Sequence, residues 1–267
     1  MTNPKIAVII TTFLRDELLF KCINSILENW NENYILYILD QGHPTEEKKE
    51  YFNNFPHKDS LKFIELPFDC GPLAARNYAI RQIAFTSIEY ILMSADSILF
   101  TSKYEFTPII EFLEQEEDRF LCAFYSKDRI PWEADVTKKS GFYLKAPERE
   151  PIIYKDISFQ PVDLANNFFI AKASLFAKAE YDKDRKLGDH ESSYWRFKEK
   201  GYKCFFTKSI DYEYVKDRTP EYNKYRDLFY TRDKIQMMNH YGLSKWVEYD
   251  RTFLKSIEDY RKNKKQS

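Results

Sequence analysis

From Ile6 to Thr12 the sequence IAVIITT is one unbroken, largely β-branched apolar run. That is the pattern of a strand buried on both faces. Leu18, Leu19, Cys22, Ile23, Ile26, Leu27 and Trp30 follow at helical spacing and predict an amphipathic helix. Tyr34 to Leu39 reads as a second buried strand, stopping at Asp40-Gln41-Gly42, and Glu46 to Phe52 as a polar helix. Leu61 to Leu66 is a third strand. Gly71-Pro72 opens the next helix, since proline suits a first turn. Tyr90 to Met93 is a fourth strand, ending at Ser94-Ala95-Asp96-Ser97. Such alternation of strand and helix predicts an α/β fold with a doubly wound, mostly parallel sheet flanked by helices. Ligands of such sheets sit beyond the carboxyl ends of the strands, so Thr11, Thr12, Asp40, Asp96 and Ser97 are expected around one crevice.

The second half is less regular. Pro108 to Glu114 predicts a helix, Leu121 to Tyr125 a strand, and residues 126–156 a loop or hairpin. Phe159 to Ala173 mixes β-prone residues with Asn166-Asn167. Gly188-Asp189-His190-Glu191 precedes a helix that Gly201 is expected to end. Cys204 to Thr207 reads as a strand, and two helices are expected beyond Pro220.

Charge and composition narrow the partners. A net charge of −1 argues against a general nucleic-acid binder. The basic end, Arg261 to Lys265, offers a peripheral contact with the inner membrane face. Cys22, Cys70, Cys122 and Cys204 are too widely spaced for a zinc motif and fit reduced thiols in the cytoplasm. No apolar run approaches the roughly 20 residues of a membrane span, and no signal peptide is expected. Tyr and Phe, 20 and 22 of them, suit a site that stacks on bases or sugar rings as well as an aromatic core.

Five stretches together carry a resemblance: VIITTFLRDELLFKCINSIL, ILDQG, LPFDCGPLAARNYAI, YILMSADSILF, and VDLANNFFIAKASLF followed by GDHESSYWRFKEKGYK. The chain resembles the family 2 inverting glycosyltransferases of GT-A fold, especially the branch related to β-1,4-N-acetylgalactosaminyltransferases. The resemblance implies a catalytic domain over residues 1–215. Its nucleotide half is about 1–100 and its acceptor half about 101–215, with a helical extension and basic tail over 216–267. It implies transfer of a hexose or N-acetylhexosamine from a UDP-sugar to a glycan or glycolipid acceptor, by single displacement.

The same resemblance gives the residues roles. Thr11, Thr12 and Arg15 fall where such enzymes hold the nucleotide, Asp40 where an acid accepts from the base, and Arg76 and Asn77 on the family's ARN motif. Ser94-Ala95-Asp96 stands where relatives have a D-x-D motif. Ser94 and Ala95 are then expected at the nucleotide and Asp96 at a divalent metal, Mn2+ or Mg2+. The serine departs from the pattern, and so does the stretch Ile210-Asp211-Tyr212-Glu213-Tyr214, where many relatives supply a metal-binding histidine. Asp211 or Glu213 are the substitutes on offer. Asp163, Asn166, Asn167 and His190 are expected near the donor sugar and acceptor. Asp189 and Glu191 are the candidates for the carboxylate that takes the acceptor's proton, one register placing His190 there instead. Lys224 and Arg226 lie in a segment that can fold over the diphosphate. Two rivals remain: a sugar nucleotidyltransferase, which TTFLRDE disfavours for want of a glycine-rich loop, and a non-catalytic binding protein on the same fold.

Overall fold

The computed structural model describes residues 5–30, 33–125, 133–135, 143–145, 149–182, 185–186, 189–216 and 219–240. The elements are β1 (Ile6–Thr12), α1 (Asp16–Asn29), β2 (Tyr34–Asp40), α2 (Glu46–Asn53), β3 (Leu61–Glu65), α3 (Pro72–Ile83) and β4 (Tyr90–Ala95). They continue with β5 (Ile98–Phe100), α4 (Thr107–Leu113), β6 (Arg119–Tyr125), β7 (Glu133–Asp135), β8 (Tyr143–Lys145), β9 (Ile152–Tyr154), β10 (Ile157–Val162) and β11 (Phe169–Lys172). The last are α5 (Ala173–Phe176), α6 (Asp189–Glu199), β12 (Lys203–Tyr214) and α7 (Pro220–His240).

The main sheet runs β3-β2-β1-β4-β11-β6-β12-β10-β9, with β5 paired to the far end of β12. The β3-β2-β1-β4 half is wholly parallel, as its apolar runs require. Beyond β4 the sheet is mixed, because β11 enters antiparallel between β4 and β6. Two cores follow from the alternation of β1. Ile6, Val8 and Ile10 face α1 and α4, while Ala7 and Ile9 face α3, α5 and α6. Both faces being covered explains why β1 reads as continuous rather than alternating.

Two expectations from the sequence need adjusting. β12 is far longer than Cys204 to Thr207, because exposed Lys208 and Ser209 interrupt its apolar run at an irregularity between Thr207 and Asp211. The segment Phe159 to Ala173 divides into β10 and β11 at Asn166, whose Oδ1 accepts from Phe168 N at 3.0 Å. The first of the two helices expected beyond Pro220 is α7, capped by Thr219 Oγ1 accepting from Tyr222 N at 3.1 Å; the second lies outside the described residues. The basic tail, Gly188 and most of the 126–148 stretch fall outside the described residues, apart from the short antiparallel pair β7-β8. Gly201, at φ 74, ends α6 as its position predicts, with Tyr202 N donating to Phe197 O at 3.0 Å. No described helix is long and apolar enough to cross a membrane.

Candidate active site

The registers Thr11↔Ala95 and Thr12↔Asp40 bring the carboxyl ends of β1, β2 and β4 level. A cavity of about 1190 Å³, including its open mouth, lies beyond them. Its floor is Thr11, Thr12, Ala95 and Ser97. Gly71 and Arg76, at the start of α3, form one wall. Asn166, Asn167 and His190 form another. The end of β12 and the first turn of α7 close the far side with Tyr212, Tyr214, Lys216, Tyr222, Tyr225 and Arg226.

Asp96 is the best-held carboxylate in the region. It has 0% exposure. Thr12 Oγ1 donates to its Oδ2 at 2.9 Å, Arg15 Nε donates to the same oxygen at 3.1 Å, and Arg15 Nη2 pairs with Oδ1. Burial pushes the Asp96 carboxyl up, with the Arg15 charge the chief influence in the opposite direction. The Arg15 guanidinium is in turn stacked on the Tyr222 ring at 4.3 Å, and Tyr222 Oη accepts from Arg226 Nη1 at 2.7 Å. This chain of contacts ties α7 to the end of β4.

Several expected residues point elsewhere. Asp40 is buried away from the cavity. Its Oδ2 accepts from Lys48 Nζ at 2.6 Å and its Oδ1 from Gly42 N at 2.9 Å. The neighbouring Gln41 is the one that lines the cavity. Asn77 clamps the backbone of Tyr181, donating through Nδ2 and accepting through Oδ1, both at 2.8 Å. Asp163 pairs with Arg149 and Lys198, each at 3.1 Å. Ser94 is fully buried and its Oγ has no hydrogen-bond partner, because alternation along β4 aims it into the α1 core with Leu92. Lys224 is exposed and outside the cavity, unlike Arg226.

At α6 the residue in the cavity wall is His190. Its Nδ1 lies 3.2 Å from Ala165 O. A carbonyl only accepts, so Nδ1 is the donor in this contact. Glu191 does not line the cavity, and the Asp189 side chain falls outside the described residues.

The site also contains residues the sequence did not single out. Phe13, Phe68 and Tyr225 make an aromatic rim, with ring centroids 5.3 to 5.4 Å apart, and His43 stacks on Phe68 at 4.4 Å. Lys186 Nζ donates to Asp69 Oδ2 at 2.6 Å, while Lys186 N donates to Asp233 Oδ2 of α7 at 2.8 Å. Tyr222 and Tyr225 share one face of α7 with Arg226, already expected over the diphosphate, by their spacing of three and four. That spacing was the available signal.

These side chains do not fit a divalent cation. Such an ion takes oxygen ligands, carboxylates above all. Asp96 is enclosed and bonded to Arg15 and Thr12. Asp211 and Glu213 are exposed on the face of β12 opposite Tyr212 and Tyr214, away from the cavity. Among the described residues no group of three or more His, Cys, Asp or Glu is placed to hold a metal.

Sheet order and crevice together have the form of a GT-A domain. Residues 7–179 match the family described as glycosyl transferase family 2, and the chain belongs to that family. Solved structures share the fold. The 1–349 fragment of S. aureus TarS has a TM-score of 0.55 at 14% identity, over 79% of this chain and 60% of that one. GalNAc-T7, solved with UDP, GalNAc and Mn2+, gives 0.63 at 11% identity over 87% and 49%. The mannosyltransferase PcManGT from Pyrobaculum calidifontis, with GDP-Man and Mn2+, gives 0.60 at 13% over 89% and 65%. The chain therefore spans between about half and two thirds of the length of those chains. No curated protein sequence matches it.

Proposed function

We propose that the protein is an inverting glycosyltransferase, moving a hexosyl or N-acetylhexosaminyl group from a UDP-sugar to a hydroxyl of a glycan or glycolipid. The observation that carries this reading is the basic, aromatic-rimmed cavity at the carboxyl ends of β1, β2 and β4 in a family 2 fold. Thr11 and Gln41 take the base, Arg15 and Arg76 the diphosphate, and Asn167 and His190 the sugar and the incoming hydroxyl. The likeness to the β-1,4-N-acetylgalactosaminyltransferase branch supports UDP-GalNAc, UDP-GlcNAc or UDP-Gal as donor. So do the related structures solved with UDP and GalNAc and with UDP-GlcNAc.

In the reaction, the acceptor oxygen bonds to the anomeric carbon as the bond from that carbon to the diphosphate oxygen breaks. The electron pair of that bond leaves with UDP. The acceptor's proton passes to the imidazole of His190, which among the described first-turn side chains of α6 is the one that lines the cavity. Attack opposite the leaving group inverts the configuration, and no covalent enzyme intermediate is needed.

UDP release from these three donors, measured with a panel of glycan and glycolipid acceptors, tests the reading. His190→Gln is expected to keep UDP affinity and lose about 10²-fold or more in turnover. Asp189→Asn and Glu191→Gln are the controls. An active His190→Gln beside an inactive Asp189→Asn moves the proton to Asp189. The enclosure of Asp96 favours a second reading, a non-catalytic binding protein, which UDP binding without any transfer would support.

A further inference from the structure

Among the described residues the cavity is lined by five basic side chains, Arg15, Arg76, Lys186, Lys216 and Arg226, against one carboxylate, Asp69. Lys186 already engages that carboxylate at 2.6 Å. The acid at the end of β4 is closed off by Arg15, which brings a fixed positive charge to the place where a bridging metal would need an open carboxylate. A planar guanidinium is well suited to this work. One edge grips Asp96 and its face rests on Tyr222. Tyr222 also accepts from Arg226, so both arginines are set in the cavity wall by the same aromatic ring.

We propose that the donor's diphosphate is held, and the charge of the leaving nucleotide neutralised, by Arg15 with Arg76 and Arg226, so that donor binding needs no divalent metal. This rests on the donor reading above and goes beyond it by naming the cation. Asp96 is a positioning residue that orients Arg15. Electrostatic stabilisation of a leaving diphosphate asks for preorganised positive charge, which arginine supplies as well as a metal ion does.

The test is calorimetric binding of UDP, with GDP as comparison, to the full chain in EDTA and then in excess Mn2+. The expected result is UDP binding in EDTA, with affinity in Mn2+ the same to within about twofold. Arg226→Gln, a partly exposed side chain whose loss leaves the buried Asp96 pair intact, should weaken UDP by about tenfold in both conditions, as for a lost charge-assisted bond. Arg15→Gln should do the same where circular dichroism shows that it folds. UDP binding that vanishes in EDTA and returns with Mn2+ overturns the inference and leaves the donor reading standing, all the more if Asp96→Asn abolishes the return. An Arg226→Gln protein that binds UDP as wild type does in EDTA also counts against it. Failure of both nucleotides to bind in either condition brings down the donor reading and the inference together.

Discussion

Asp40 and Gln41 are neighbours in the chain with opposite surroundings. The alternation that turns Leu36 and Ile38 toward α1 carries Asp40 to the same side, where it meets Lys48. Gln41 follows the strand's last residue and turns into the cavity. A sequence shows that a strand ends here, yet the choice between the two side chains depends on a lysine eight residues on. Lys48 and Asp40 are each 1% exposed, and Lys48 also reaches Asp16 at 2.8 Å. Removing one partner of a buried pair leaves the other charged and unsolvated. Lys48→Met should therefore destabilise by about 3–5 kcal/mol in chemical denaturation, and adding Asp40→Asn should recover part of that loss. Gln41→Ala should leave stability nearly unchanged and weaken UDP by about 1–3 kcal/mol. A loss of UDP affinity in Asp40→Asn larger than in Gln41→Ala would return the base contact to Asp40. Ser94 and the pair Asp211 and Glu213 follow the same parity: each alternates onto the side of its strand away from the crevice.

At the scale of elements, two helix ends show how space and backbone conformation differ as constraints. Gly71 begins α3 at φ 90, and a Cβ there would lie 2.9 Å from Lys186 Cγ and 3.2 Å from its Cα. Gly201 follows α6 at φ 74, with nothing within 4 Å of such a Cβ. Both positions penalise a side chain through the left-handed backbone, by about 1–2 kcal/mol. Only at Gly71 is a neighbour struck as well. Gly201→Ala should thus lower stability by about 1–2 kcal/mol with UDP binding intact. Gly71→Ala should cost more in the same melting experiment and also weaken UDP, because Lys186 must leave Asp69. Equal losses in the two variants would show the contact at Gly71 to be yielding. Gly201 was legible as a stop. The helix after Pro220 and the place of Arg226 were legible too; the part of Tyr222 and Tyr225 was not, since an aromatic face turned to a cavity reads in the sequence like any apolar stripe.

Over the whole molecule, the parallel half was legible because each strand is a short apolar run closed by polar residues and followed by its helix. The mixed half was not, because its pairings join distant segments. β12 meets β6, β10 and β5, and only tertiary contact decides that β11 lies between β4 and β6. The same layered packing protects the thiols. Cys22, Cys122 and Cys204 are buried, and burial pushes each well above the usual thiol range. Cys70 is half-buried and shifted up mainly by the same cause. A thiol reagent at neutral pH should label Cys70 first, the other three reacting only as the protein unfolds. Fast labelling of a second cysteine in the native protein would mean that a core layer opens on its own. Beyond β12 the chain keeps contributing to the crevice. Val215 and Lys216 line it, Val215 N donates to Ser97 O at 2.9 Å, and Tyr222 seats Arg15. A division between residues 215 and 216 therefore cuts through the wall of the cavity. For anyone building chimaeras, the first turn of α7 belongs with the crevice, and on the donor reading proposed above, swapping it between relatives would transplant part of their nucleotide preference.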